Sequence, residues 1–364
     1  MEGLYLNGKF YDERTLVLLA REKNGEQSLT DFERSFWSFI TDWFSKDSHL
    51  TLQTSGSTGS PKNIPVRKEF LVNSALMTCR FLDISPGDTS LLCLSPSYIA
   101  GKMMIVRALT NHLKLWTTPP QIHEIINFPR RATFSAMVPL QIQSILNETK
   151  GKDLLRRIDK LLIGGAPITP DLEEKLFSLN NEIYATYGMT ETVSHIALRR
   201  INGREGSLCY RVLPGVHIST DGENRLIIHA PHLSEGTVHT NDLVEMVNEN
   251  EFKIIGRYDD VINSGGIKFS PEKIEEKISP LFSGRFMVSS LPDVRLGEEL
   301  ILAVETKGWE KHTATELESA MKTILPPYER PKRIFFLERF PLLPHGKISR
   351  KLTREKVLEL NKER

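Results

Sequence analysis

The chain has 364 residues, with 47 basic against 46 acidic side chains, 40% hydrophobic and 26% charged residues. So even a balance supplies no net field to draw in a polyanion, which excludes nucleic acid and acidic membranes as default partners. The length exceeds what one hydrophobic core usually organises, so two domains are expected in a globular chain of ordinary composition.

The N-terminus, MEGLYLNGKF, has no basic segment leading into an apolar core, and no later window approaches the roughly 18 apolar residues of a membrane span. A cytoplasmic protein without a membrane span is expected. Cys79, Cys93 and Cys209 are odd in number and far apart, which suits buried free thiols better than a disulfide or metal site. Thr30 and Glu33 have capping-box spacing, ahead of a helix whose Phe32, Phe36, Phe39, Ile40 and Trp43 share one face. Next comes TLQTSGSTGSPKNIPV, Thr51 to Val66, with five hydroxyl residues and two glycines between Thr54 and Ser60. Glycines permit the positive-φ turns of an anion-binding nest, hydroxyls add donors, and Lys62 adds a mobile charge. No Gly-Lys-Ser/Thr closes the run, so it is not a P-loop, and composition alone also fits a linker.

Strand-like runs follow at Ser90–Leu94, Lys114–Thr117, Thr133–Val138, Lys160–Ile163 and Glu182–Ala185, with helical periodicity between them. This alternation predicts a largely parallel sheet in an α/β fold. From 205 to 256 helical patterns give way to short strands and turns such as Asp221-Gly222, which suggests a small β-barrel or distorted sheet. Beyond Arg257 the pattern is α+β: a helix opening at Ser270-Pro271, strands near Arg285–Ser290 and Glu299–Glu305, a helix capped at Thr313 or Thr315, and a strand at Arg333–Glu338.

Four segments, in order, carry a resemblance: TSGSTGSPK, YGMTET (Tyr187–Thr192), GRYDDVINSGGIKFSPEKIE (Gly256–Glu275) and LPHGKISRK (Leu343–Lys351). The chain is identified as a member of the ANL superfamily of adenylate-forming enzymes, the acyl- and aryl-CoA synthetases, adenylation domains and luciferases. The resemblance implies a large N-terminal domain of layered α/β sheets at 1–257, β-rich over 205–256. A small mobile α+β domain would follow at 258–364, with its hinge at Asp259. The first loop begins nearer the front than in most members, which implies a shortened N-terminal domain.

The same resemblance implies the chemistry. A carboxylate attacks the α-phosphorus of ATP, pyrophosphate leaves, and a thiol then takes the acyl group from the adenylate. Thr54, Ser55, Gly56, Ser57, Thr58, Gly59 and Lys62 would grip pyrophosphate. Gly164, Gly165 and Ala166 would lie against one side of adenine, with Tyr187 and Gly188 on the other. Thr190 would meet the α-phosphate and Glu191 would hold Mg²⁺. Asp242, in Thr240-Asn241-Asp242 where the family usually reads Thr-Gly-Asp, would bind ribose, and Arg257 ribose or phosphate oxygens. Lys347 would bridge the carboxylate and the α-phosphate. Gly265 and Gly266 would line the tunnel for the pantetheine arm of CoA. ATP, Mg²⁺ and coenzyme A are thus the expected co-reactants.

Past Glu191 the chain reads TVSHIALR, which looks like the o-succinylbenzoate–CoA ligases of menaquinone biosynthesis, although those usually have Ser-Gln where Ser194-His195 stands. Ser97-Tyr98-Ile99-Ala100-Gly101 resembles the aromatic-His-x-x-Gly string of the acyl pocket, with Tyr98 in the His place. Lys102 and Arg107 are candidate partners for a second carboxylate on the acid, and a solvated helix face is the alternative. His195 has two readings, a substrate contact or a satisfied buried group. Two other functions stay open: an adenylating enzyme for another acid or for a carrier protein, and a non-catalytic nucleotide-binding relative. The partner is expected to be a small carboxylic acid; the sequence leaves oligomeric state open, a homodimer included.

Overall fold

The computed structural model describes residues 3–53, 63–282, 284–306, 314–342 and 348–362. The chain divides into two compact units. One comprises Met1–Ser219, Ile227–Val238 and Val247–Phe252, and the other Thr220–Leu226, His239–Met246 and Lys253–Arg364.

The first unit is organised by one sheet. At its edge, strands Lys9–Asp12 and Gly3–Leu6 form a hairpin turned by Asn7 and Gly8, both at positive φ, as a two-residue type I′ turn requires. Gly3–Leu6 pairs in parallel with Lys114–Thr117, and the sheet continues in parallel through Thr89–Leu92, Ala132–Met137, Ile158–Ile163 and Glu182–Gly188. The predicted parallel α/β sheet is therefore present. Leu91, Phe134, Leu161, Leu162 and Ile163 are buried, the near-continuous apolar run of strands covered on both faces. Helices Ile99–Thr110, Pro139–Leu146 and Pro170–Phe177 lie between successive strands. His195–Arg200 then returns antiparallel, followed by Tyr210–Val212, and Glu251 and Phe252 pair with Arg211 and Tyr210. These last strands extend the main sheet rather than closing a separate barrel.

The helix Asp31–Trp43 opens on the predicted capping box: Glu33 N donates to Thr30 Oγ1 at 3.3 Å and Thr30 N donates to Glu33 Oε2 at 3.0 Å. Phe32, Phe36, Phe39 and Ile40 are buried from it. Strands His49–Gln53 and Asn63–Arg67 pair antiparallel with Gln53 opposite Asn63. The Thr54–Lys62 segment between them lies outside the described residues.

In the second unit, Gly297–Glu305 pairs antiparallel with Phe286–Asp293 and parallel with Arg333–Leu337. Alternate residues feed two cores, as the period of a strand dictates. Val288, Leu300, Leu302, Val304 and Ile334 pack with Ile274 and Ile278 of helix Pro271–Ile278 and with Leu317 and Met321 of helix Ala314–Ile324. Met287, Leu291, Ile301, Ala303, Phe335 and Leu337 pack with Val357 of helix Arg350–Lys362. Thr315 falls inside its helix, and Thr313 lies outside the described residues.

Candidate functional site

Ligands of open α/β sheets bind beyond the carboxyl ends of parallel strands. Two neighbouring strand ends carry predicted site residues here. Ile158–Ile163 runs into Gly164, where a Cβ would stand 2.1 Å from Thr186 Oγ1, and into Gly165 at φ +82°. Only glycine suits both positions, and half-buried Ala166 follows. On the adjacent strand Tyr187 is 8% exposed, its ring edge-on to Tyr210 and Phe252 with centroids 6.0 and 5.3 Å away. A Cβ on Gly188 would meet Ser194 O at 2.3 Å, so the glycine lets the chain fold back on itself.

The turn Thr190–Thr192 is tied from inside. Met189 N donates to Thr192 Oγ1 at 3.3 Å, and Thr192 Oγ1 donates to Ser194 O at 2.9 Å. Val193 sits at φ +66°, a left-handed conformation that a β-branched residue adopts only when its surroundings enforce it. Sequence reasoning missed this strained position, since a valine carries no turn signal. Glu191 is exposed and makes no ion pair among the described residues, so its carboxylate suits a hard cation such as Mg²⁺.

A second group of predicted residues converges inside this unit. Arg107, on helix Ile99–Thr110, is 2% exposed, and its guanidinium carbon lies 5.8 Å from the centroid of the Phe134 ring. Its Nη2 donates to Thr78 Oγ1 at 3.4 Å and to Ser194 Oγ at 3.5 Å, and its Nε has no partner. No carboxylate among the described residues pairs with it, and burial lowers its pKa to about 10. His195 is 6% exposed, with Nε2 3.0 Å from Thr78 Oγ1; burial first, and the Arg107 charge second, hold its pKa well below the ordinary value. Thr78, on helix Lys68–Phe81, was not singled out from sequence because a lone threonine in an apolar helix gives no signal. Lys102 does not join the group: its ammonium lies 6.0 Å from the ring centroid of Phe39. Tyr98 is exposed at the start of the helix. Gly101 packs so tightly that a Cβ would stand 2.3 Å from Ser95 O.

The second unit gathers Asp242, Arg257 and Asp259. Arg257 Nη1 donates to Asp242 Oδ1 at 2.9 Å and Nη2 to Asp259 Oδ2 at 3.3 Å. Burial opposes the Arg257 charge, but the carboxylates of Asp242, Asp259 and Asp260 outweigh it and hold its pKa above the ordinary value. Asn241, the departure from Thr-Gly-Asp, donates from Nδ2 to both oxygens of Asp259, at 3.2 and 3.0 Å. Gly265 and Gly266 have φ of +61° and +81°, and Gly265 N donates to Leu296 O at 2.8 Å. Thr54, Ser55, Gly56, Ser57, Thr58, Gly59, Lys62 and Lys347 lie outside the described residues.

Comparison with known proteins gives the family. The model of the AMP-binding enzyme family matches residues 12–224. The acyl-CoA synthetase (AMP-forming)/AMP-acid ligase II-like protein of Dyadobacter fermentans is 35% identical in sequence. The match covers 93% of this chain and 98% of that one, with a TM-score of 0.62. The 2-succinylbenzoate–CoA ligase of Bacillus cereus (strain Q1) is 24% identical over 355 residues, 89% of this chain and 73% of the relative. The o-succinylbenzoate coenzyme A synthetase of Bacillus subtilis, solved in complex with ATP and magnesium ion, shares the fold. Its TM-score is 0.71 at 22% identity, covering 93% of this chain and 81% of that one. No helix among the described residues is long and apolar enough to cross a membrane. With the glycine-lined strand ends and the YGMTET turn in place, this chain belongs to the AMP-binding enzymes, the ANL superfamily of adenylate-forming ligases.

Proposed function

We propose that the chain is an AMP-forming acid–CoA ligase whose acid is o-succinylbenzoate, placing it in menaquinone biosynthesis. The observation that carries the choice of acid is Arg107, a buried guanidinium with no carboxylate partner among the described residues. A buried charge without a counter-ion is costly, and a substrate with a second, unactivated carboxylate would supply one. o-Succinylbenzoate has two carboxylates, and relatives bearing its name align over most of the chain.

In the first step a carboxylate oxygen bonds to the α-phosphorus and the α–β phosphoanhydride bond breaks. Lys347 and Thr190 stabilise the charge that develops on the phosphate oxygens. The hydroxyl and glycine loop Thr54–Lys62 holds the departing pyrophosphate, and Gly164, Gly165, Ala166, Tyr187 and Gly188 frame the adenine. Asp242 and Arg257 orient the ribose. Glu191 would hold Mg²⁺, which would supply positive charge against the phosphate oxygens. In the second step the CoA thiol loses its proton to solvent, a C–S bond forms, and the C–O bond to AMP breaks. Movement about Asp259 brings Gly265 and Gly266 to the pantetheine passage between the two steps. The test is pyrophosphate release from Mg·ATP and o-succinylbenzoate, with and without CoA.

A further inference from the structure

The Thr78 hydroxyl donates to Ser74 O at 2.9 Å, one helical turn back, which commits its only proton. Its oxygen therefore accepts from both groups that face it, Arg107 Nη2 at 3.4 Å and His195 Nε2 at 3.0 Å. This makes Nε2 the protonated nitrogen of His195 and leaves Nδ1 a lone pair. Ser194 Oγ lies 3.4 Å from Nδ1, donates to it, and so turns its own lone pairs toward Arg107 Nη2 at 3.5 Å. The ring of contacts closes with every proton assigned. Two hydroxyl oxygens hold one nitrogen of the guanidinium, while Nε stays without a partner.

Ser74 O already holds the Thr78 proton away from the cation, whereas the Ser194 hydroxyl alone could rotate and point its proton at Arg107. The imidazole forbids that rotation, because its Nδ1 takes the Ser194 proton while its N–H occupies a Thr78 lone pair. Burial and the Arg107 charge oppose a second proton on the ring, and the neighbouring Cys79, whose burial pushes its pKa up to about 11, stays a neutral thiol.

We propose that His195 is a positioning residue that, through Thr78 and Ser194, holds the Arg107 guanidinium unneutralised and oriented for an anionic group of the acid substrate. It thereby selects dicarboxylic over monocarboxylic acids. This rests on the acid–CoA ligase reading but not on the identity of the acid.

Two variants separate hydrogen bonding from shape. His195→Gln keeps a donor for Thr78 and an acceptor for Ser194, whereas His195→Leu keeps neither. With His195→Leu, the KM for o-succinylbenzoate rises on the order of 10-fold, as expected when a charged hydrogen-bond network loses one member. kcat and the KM for 4-oxo-4-phenylbutanoate, which lacks the ring carboxylate, stay within about threefold, and His195→Gln stays close to the parent on all three. In the ¹⁵N-histidine-labelled parent, the signal lost in His195→Gln reports a neutral ring protonated at Nε2. A proton on Nδ1, an equal KM rise for both acids, or a Gln variant as impaired as Leu would overturn the inference. If the parent ignores o-succinylbenzoate while another aromatic dicarboxylate shows the same His195→Leu dependence, the named substrate is lost and the positioning role stands. If His195→Leu does not fold, the Gln kinetics and the tautomer still decide.

Discussion

Arg257 Nη1 donates to Asp242 Oδ1 at 2.9 Å, so a proposed ribose acid and a proposed ribose or phosphate base are already paired within one unit. The same guanidinium reaches Asp259 through its other terminal nitrogen. A lysine could not span both carboxylates from fixed geometry. Arg257→Lys is expected to raise the KM for ATP on the order of 10-fold, the effect of losing a charge-assisted hydrogen bond. Steady-state kinetics with varied ATP check this, with the KM for the acid as the internal control.

Lys347→Ala should slow adenylation on the order of 10²–10³-fold, by analogy with removing one oxyanion donor. Transfer from a preformed acyl-adenylate to CoA should change far less. Single-turnover assays of the two half-reactions separate them, and equal slowing of both would remove Lys347 from its proposed role.

Gly188→Ala is expected to destabilise the protein by about 1–3 kcal/mol, because the new methyl meets backbone at Ser194 and His195, which no rotamer can relieve. Gly222→Ala serves as the control, since nothing lies within 4 Å of its Cβ position. Urea unfolding of the two variants should show the loss only at position 188.

His195 predicts an acid sensitivity. Burial, then the Arg107 charge, hold its folded pKa well below the ordinary 6.5, so the unfolded chain binds a proton that the folded chain refuses. The resulting stability is complete above pH 6.5 and is lost as pH falls below it, by up to about 1.4 kcal/mol per pH unit. Between pH 7.5 and 5.5 the parent should therefore lose stability relative to His195→Gln, which denaturant midpoints of the two proteins at the two pH values check.

Burial raises the thiol pKa of Cys79 to about 11 and of Cys93 to about 12, and both are shielded from reagent. Cys209 is only half-buried. Titration with a chromogenic disulfide reagent near pH 8 should detect Cys209 rapidly in the folded protein and all three thiols once it is unfolded.

Much of the fold was legible because its signals are local. Thr30 and Glu33 announce a helix start within four residues, and the apolar runs around Leu91, Phe134 and Leu162 can only be buried strands or helices. The extension of the main sheet past Arg200 was not legible, because Tyr210 pairs with Phe252, far along a stretch of chain that carries no helical period. At the candidate site, Gly164, Gly165 and the YGMTET turn were singled out through their motif. The Thr78, Arg107 and His195 cluster was singled out only in part: Arg107 as a candidate partner for a second carboxylate and His195 through the segment after Glu191. The threonine that joins them is 117 residues from His195. Lys102 and Arg107 were paired as the basic residues of one expected helix, whereas five positions along it turn the two side chains toward different neighbours, Phe39 and Phe134.

Coupled pyrophosphate release with Mg·ATP and o-succinylbenzoate, followed by mass analysis of the product with and without CoA, decides whether the chain is this acid–CoA ligase. An o-succinylbenzoate–CoA ligase gives turnover that requires the acid, yields AMP and pyrophosphate, and forms the monothioester only when CoA is present. Absence of pyrophosphate release with this acid, in a preparation that releases it with a monocarboxylic acid, would contradict that function.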